Sequence, residues 1–159
     1  MPSFEFSFHQ TAAARRALPI SSKLRGAIKR SVETVAFREI DQLANFELSI
    51  IAMSDEELLD INRTSLGHDF LTDVITFKIE RSAGGESLEA EIYISVERAR
   101  ENARRFKQTF EKEIIHLVIH GILHLAGYSD KSPVAKKRMR NRERYYLAEI
   151  FTWSRNDRS

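Results

Sequence analysis

The chain has 159 residues, of which 42% are hydrophobic and 30% charged, with a formal net charge of +2 and no cysteine. This length is sufficient for a hydrophobic core, so we expect residues 1–159 to form a single domain. Without cysteine, disulfides and cysteine-based zinc sites are excluded, and a metal ion needs histidine, aspartate or glutamate ligands. Because signal-peptide and membrane-spanning patterns are missing, we expect a cytoplasmic protein with no membrane partner.

The first half of the chain contains the patterns of two strands and two helices. Residues 3–8 alternate aromatic with polar side chains, which predicts a half-buried strand. Residues 24–40 have the apolar spacing of an amphipathic helix, and residues 46–53 predict a second strand. A serine and a glutamate with capping-box spacing then predict a short helix at residues 54–65.

The second half of the chain predicts two more strands and three more helices. The strands lie at residues 73–79 and 90–95, separated by a polar loop at residues 82–86. A charged helix, a more apolar helix and a C-terminal helix follow, and together the elements predict a small α/β or α+β domain. The helices are predicted at residues 96–108, 111–126 and 133–153.

The apolar helix carries three of the five histidines, at His116, His120 and His124. The first and the last lie about 12 Å apart along the axis, so one metal ion cannot bind all three. An HxxxH pair alone is a weak signal, but here Gly127 ends the helix and brings Asp130 towards His120 and His124. Two histidines and a carboxylate, with one position left for water, have the layout of a catalytic zinc site on a zincin-like helix.

The residue after His120 argues against a zinc peptidase. Peptidases with HExxH place their general base at that position, which is Gly121 in this chain. We expect this glycine to allow close approach of another backbone or of a substrate. We expect His116, one turn earlier, to line a cleft or to form a hydrogen bond in the core.

The string HGILHLAGYSD, residues 120–130, resembles the HGxLHLxGYDH signature of the YbeY endoribonuclease family of bacterial ribosomal RNA maturation factors. The resemblance extends upstream and follows the same order along the chain. Asn62, Asp69 and TDVITF, Thr72 to Phe77, resemble the family's LNxxYRxxDxPTDVLSF segment. AEIYIS, Ala90 to Ser95, resembles its GDIxIS strand.

This resemblance implies a metal-dependent endoribonuclease that acts on single-stranded RNA. Its expected roles are 3′-end maturation of 16S ribosomal RNA and ribosome quality control, with the small ribosomal subunit as a partner. The family fold implies a small sheet packed with helices, and one divalent metal ion bound by the three histidines of the signature. The corresponding ligands here are His120, His124 and Asp130, with Asp130 in place of the family's last histidine.

The aspartate changes what the metal centre is expected to do. A carboxylate binds zinc at about the same distance as an imidazole, so Asp130 is an acceptable ligand. It leaves the site with a charge of about +1 instead of +2, which makes the ion a weaker Lewis acid. Zn²⁺ is therefore the first expectation, with Mn²⁺ or another divalent ion as the alternative, because carboxylate is the harder ligand.

A second departure concerns the phosphate contact. The family's Tyr-Arg pair falls on Ser65 and Leu66, so an arginine suited to bidentate phosphate binding is missing. The sequence assigns no general base, and it leaves attack by water and attack by a 2′-hydroxyl equally open. The candidates for catalytic or phosphate-binding roles are Arg63, His68, Asp73 and His116.

The C-terminal segment is the basic part of the chain, with nine lysines and arginines against three acids from Lys131 to Ser159, a local charge of +6. Such a segment attracts RNA, although a solvated helix face is the more common origin of this pattern. Two other functions stay open: a noncatalytic ribosome-assembly factor with a structural metal, and a zinc hydrolase of another substrate class. The oligomeric state is open. The candidate RNA-binding residues are Lys136, Lys137, Arg138 and Arg140.

Overall fold

The computed structural model describes residues 3–40, 45–69, 71–80 and 87–156 as four strands and six helices. The predicted α+β class and the four strands are confirmed, whereas the loop predicted at residues 82–86 lies outside the described residues. None of the described helices combines the length and the apolar character needed to cross a membrane. In chain order the elements are β1 (Ser3–Gln10), α1 (Ala12–Ala17), α2 (Ser22–Glu39), β2 (Asn45–Met53), α3 (Asp55–Leu66), β3 (Val74–Glu80), β4 (Ser87–Ser95), α4 (Val96–Arg105), α5 (Phe110–Leu125) and α6 (Pro133–Asn156).

The four strands form one mixed sheet in the order β1-β2-β4-β3. Strands β1, β2 and β4 are parallel, and β3 pairs with β4 in the antiparallel direction at the edge. The main core joins buried side chains of β2 and β4 to those of α2 and α5. Ten of the sixteen residues of α5 are buried, so this helix is at the centre of the molecule.

Helix α1 is the element that the sequence patterns did not predict. Its sequence, AAARRA, has no apolar period, and only Ala14 in it is buried. The hydroxyl of Thr11 caps the helix by accepting from the Ala14 N–H (3.1 Å) and donates to Glu57 Oε1 (2.7 Å). The helix therefore depends on a contact with α3, which is distant in sequence.

The capping signal predicted before α3 is confirmed. Ser54 and Glu57 form the expected capping box, with the Glu57 N–H donating to Ser54 Oγ (3.2 Å) and the Ser54 N–H donating to Glu57 Oε1 (3.0 Å). Ser132 caps α6 by accepting from the Ala135 N–H (3.1 Å). After α5 the chain turns at Gly127, whose φ of +104° lies in a region that favours glycine.

Gly121 lies where α5 packs closely against the sheet. A Cβ atom at this position would lie 2.9 Å from Ile92 Cδ1 and 3.2 Å from Thr76 Cγ2. These are side chains of β4 and β3, so the close approach at this glycine is made by side chains of the sheet. The close packing fixes the height of α5 above the sheet, and with it the position of every residue that α5 carries.

We expect Gly121→Ala to lower the free energy of unfolding by about 1–3 kcal/mol, because Ile92 is fully buried and has little room to move. Urea denaturation measures this change. Gly26→Ala in α2 is the matched control, since a Cβ there meets nothing within 4 Å. It should stabilise the fold by about 0.5–1 kcal/mol through helix propensity. Equal effects at both glycines would contradict the packing argument.

Candidate metal centre

The structure brings the three predicted metal ligands together at the C-terminal end of α5. The Nε2 atoms of His120 and His124 lie 3.0 Å apart, and Asp130 Oδ2 lies 3.8 Å from His124 Nε2. One ligand atom from each of the three residues falls within 4.8 Å of the others. Ligand atoms at about 2.0–2.1 Å from a tetrahedral ion would lie about 3.3 Å apart, so the three side chains fit one divalent ion.

The turn after α5 fixes the orientation of His124. Its Nδ1–H donates to the backbone carbonyl of Tyr128 (3.2 Å), which leaves the lone pair of Nε2 directed towards His120. The Tyr128 N–H in turn donates to the carbonyl of Leu123 (3.0 Å), so the turn is tied to the last turn of the helix. Burial, and then the neighbouring His120, lower the pKa of His124. The residue is therefore the neutral imidazole that metal binding requires.

Glu143 fixes the orientation of His120 from the opposite side. It lies on α6 with 7% of its surface exposed, and its Oε1 accepts from His120 Nδ1–H (2.5 Å). The other oxygen, Oε2, accepts from His116 Nε2–H (2.9 Å). Metal-binding histidines commonly donate their second N–H to a carboxylate, which holds the ring and raises its basicity. Glu143 has the geometry of such a supporting carboxylate towards His120.

Glu143 is absent from the predicted site, although the sequence contains a signal for it. The many basic residues of the last helix obscure this one acidic residue. Glu143 has helical spacing to Met139, Tyr146 and Ile150, which are all buried. An acidic residue on the buried face of a helix needs a partner of opposite charge or a hydrogen-bond donor, and histidines on a neighbouring helix are suitable partners.

His116 lies between two carboxylates and outside the set of metal ligands. Its Nε2 bonds to Glu143, and its Nδ1 is 3.6 Å from Glu113 Oε2. Burial opposes the charge of His116, but the carboxylates of Glu113 and Glu143 outweigh burial and raise its pKa to about 10. Burial likewise opposes ionisation of Glu143, yet the bonds from His116 and His120 lower its pKa to about 2. The pair is therefore ionised at neutral pH.

A cleft of about 210 Å³ opens beside the metal ligands. Of the predicted catalytic and RNA-binding candidates, four line this cleft. Its polar wall also includes Asn102, whose Nδ2 donates to Asp73 Oδ2 (3.0 Å). The cleft therefore joins the metal ligands to two cations on α6. The four candidates are Asp73, His116, Lys136 and Arg140.

The other four candidates lie outside the lining of the cleft. Arg63 forms an exposed ion pair with Asp69. The guanidinium of Arg138 lies 5.3 Å from the centre of the Tyr128 ring, where it covers the turn that follows α5. Lys137 and His68 are exposed. Four of the eight candidates thus line the cleft, and the other four lie elsewhere on the surface.

We expect Glu143→Gln to weaken metal binding by about 10- to 100-fold, because His120 would lose its ionised acceptor. Competition with a chromophoric chelator, using Zn²⁺ and Mn²⁺ in turn, measures the dissociation constant. Glu149→Gln is the matched control, since Glu149 lies on the same helix and bonds to Arg38 (2.5 Å). Unchanged metal affinity in a folded Glu143→Gln variant would contradict the supporting role.

The ion pair between His116 and Glu143 predicts a pH dependence of stability. The pKa of His116 rises from 6.5 to about 10, so its contribution is complete below pH 6.5 and is lost as pH rises through 10. The pKa of Glu143 falls from 4.5 to about 2, so its contribution is complete above pH 4.5 and is lost as pH falls through 2. The stabilisation should therefore be greatest between pH 4.5 and 6.5.

Urea denaturation of metal-free wild type and of metal-free His116→Gln, from pH 4.5 to about pH 10, tests this pH dependence of stability. The difference in unfolding free energy should be greatest inside the window and should shrink as pH rises towards 10. A difference that stays constant with pH would mean that His116 acts through packing alone.

The comparisons with known proteins agree with this geometry. Residues 10–151 match the family model described as Endoribonuclease YbeY. Endoribonuclease YbeY of Flavobacterium psychrophilum is 46% identical over 97 residues, which are 61% of this chain and 67% of that protein. Endoribonuclease YbeY of Chlorobium phaeobacteroides is 37% identical over 136 residues, which are 86% of this chain and 91% of that protein. The solution structure of TM1509 from Thermotoga maritima matches with a TM-score of 0.63 and 32% identity, covering 96% of this chain and 93% of that chain. The chain belongs to the Endoribonuclease YbeY family.

Proposed function

We propose that this single-domain chain is a metal-dependent endoribonuclease that cleaves single-stranded RNA. The observation that carries the proposal is the cluster of His120, His124 and Asp130, two of which, His120 and Asp130, line a cleft together with Lys136 and Arg140. The relatives named Endoribonuclease YbeY support the same activity. The further proposal is a role in 3′-end maturation of 16S ribosomal RNA on the small ribosomal subunit, in the cytoplasm.

The metal ligands suit an ion that acts as a Lewis acid. A divalent ion held by the two imidazoles and the carboxylate would polarise a phosphate oxygen and lower the pKa of a bound water. Zn²⁺ is the proposed ion, with Mn²⁺ as the alternative because Asp130 is a hard oxygen ligand. The side chain of Asp130 is 51% exposed, against 26% for each of the histidines. The ligand set is therefore open to substrate on the aspartate side.

Lys136 and Arg140 supply the positive charge for the phosphate. They lie one turn apart on α6, and both line the cleft. They take the place of the family arginine, whose position is Leu66 in this chain. Arg63, the nearby alternative, already forms an ion pair with Asp69. An exposed pair of this kind contributes little to stability, but it lowers the charge that Arg63 offers to a phosphate.

His116 supports the site and does not transfer protons in this proposal. Both of its ring nitrogens face carboxylates, so neither is directed towards a substrate. The raised pKa, about 10, would also make it a poor base at neutral pH. The proton lost by the attacking water or 2′-hydroxyl would therefore pass to another group. Asp73 is the predicted candidate with a carboxylate on the cleft lining, where it accepts a hydrogen bond from Asn102.

Cleavage of a single-stranded RNA that carries the 3′ precursor end of small-subunit ribosomal RNA tests the proposal. Metal-loaded wild type should cut it, and a folded His124→Ala variant should lose at least about 100-fold in kcat/KM, because the metal loses one of three ligands. His9→Ala is the matched control, since His9 is exposed on β1 and lies outside the cleft. It should retain full activity.

Equal cutting by wild type and His124→Ala would place the activity elsewhere and overturn the proposal. Absence of cutting with every divalent ion, together with a large loss of stability on metal removal, would favour an assembly factor with a structural metal. Cleavage of casein without cleavage of RNA would favour a hydrolase of another class.

A further inference from the structure

We propose that Phe106 is a stacking platform for one unpaired base of the substrate, seated in the cleft next to the metal ligands. The inference rests on the proposed function and adds to it a binding site for a base beside the phosphate that is cleaved. The ring of Phe106 takes no part in the chemistry. It would fix the position of the strand along the cleft.

The first observation is the place of the Phe106 ring. The residue is 65% exposed at the end of α4, and it lines the same cleft as His120 and Asp130. A single exposed phenylalanine is common on protein surfaces. An exposed aromatic ring in a cleft with metal ligands and cations is less common, and it matches the way proteins bind single-stranded nucleic acid, by stacking bases on aromatic side chains.

The second observation is that the backbone around Phe106 is tightly held. The Phe106 N–H donates to the Asn102 carbonyl (2.9 Å), and the Gln108 N–H donates to the Ala103 carbonyl (2.9 Å). Between them, Lys107 has a φ of +53°, a left-handed conformation that is uncommon for a residue with a side chain. The turn that presents the ring is therefore tied to the last residues of α4 by backbone hydrogen bonds.

The third observation is a chain of hydrogen bonds and ion pairs from this turn to the metal ligand. The side-chain amide of Gln108 donates to Glu113, which lies beside His116. His116 bonds to Glu143, and Glu143 bonds to His120. The position of the turn is thus linked to the position of His120 through side-chain contacts. A base on the ring would stand at a defined distance from the metal ion.

The shape and the charge of the cleft fit one nucleotide of an extended strand. Its volume of about 210 Å³ is below the roughly 300 Å³ of a typical small-molecule pocket, so it holds only part of a longer ligand. Lys136 and Arg140 suit a phosphate, and Phe106 suits the face of a base. Asn102 and Asp73, which bond to each other, add amide and carboxylate atoms to the lining of the same cleft. Because a paired base cannot leave its stack at low cost, this arrangement favours single-stranded RNA.

A double-mutant cycle between the protein and the RNA tests the inference. Short single-stranded RNAs, either intact or lacking the base at one position in turn, are bound to metal-loaded full-length protein. The RNAs carry 2′-O-methyl groups and phosphorothioate linkages so that they resist cleavage. Fluorescence anisotropy gives the dissociation constants for wild type and Phe106→Leu. Wild type should lose on the order of 10-fold in affinity when one particular base is missing. Phe106→Leu should bind the intact RNA about 10-fold more weakly, with little further loss for that abasic RNA.

Two variants serve as controls. Phe106→Tyr keeps an aromatic ring and should retain the affinity of wild type. Phe37→Leu is the matched control, since Phe37 is 71% exposed on α2 and does not line the cleft. It should leave binding of both RNAs unchanged.

Independent, additive losses from Phe106→Leu and from each missing base would overturn the inference, and so would absence of RNA binding by wild type. The cleavage assay separates this inference from the proposed function. Cleavage with additive losses would overturn only the stacking site, whereas coupling between Phe106 and one base without cleavage would support the stacking site and count against the nuclease.

Discussion

The carboxylate of Glu143 is the group on which the fold and the metal centre both depend. It is buried on α6 and ionised, and its two oxygens bond to His116 and His120 on α5. A buried charge is costly unless it is paired, so α6 can dock against α5 only with both imidazoles turned towards it. The same contact directs Nε2 of His120 to the position where it meets His124. The contact that packs α6 against α5 therefore also sets the orientation of the His120 ring.

A second carboxylate, on a side chain that is 8% exposed, holds the other side of the candidate metal centre. Glu39, at the end of α2, accepts hydrogen bonds from Arg142 Nε (2.5 Å), from the Tyr146 hydroxyl (3.0 Å) and from the Tyr128 hydroxyl (3.3 Å). Burial and the charge of Glu39 raise the pKa of Tyr146 to about 12, so the hydroxyl stays protonated and continues to donate. Through Tyr128 this network anchors the turn that carries Asp130. Three helices thus hold a ligand set whose members are close together in sequence.

Local sequence signals predicted the parts of the structure that depend on local geometry. Strand alternation, the capping box at Ser54 and the glycine at the end of α5 predicted element types correctly, and histidine spacing predicted which side chains would meet. The signals did not predict α1, because it depends on the bond from Thr11 to Glu57 in another helix. They also did not find Glu143, because its role exists only once α6 lies against α5. Both α1 and the role of Glu143 depend on tertiary contacts, which local sequence patterns do not contain.

Two of the chain's departures from the family pattern, at Asp130 and at Leu66, are related in the proposed function. An aspartate in place of the third histidine lowers the charge of the metal centre by one, which weakens its attraction for a phosphate. The family arginine is also replaced by Leu66. The cations that line the cleft are Lys136 and Arg140 on α6, the helix that Glu143 docks against the metal ligands. Lys136 and Arg140, which would bind the phosphate, thus lie on the same helix as Glu143, which orients His120. In this chain, the positioning of the RNA would depend more on α6 and less on the ion.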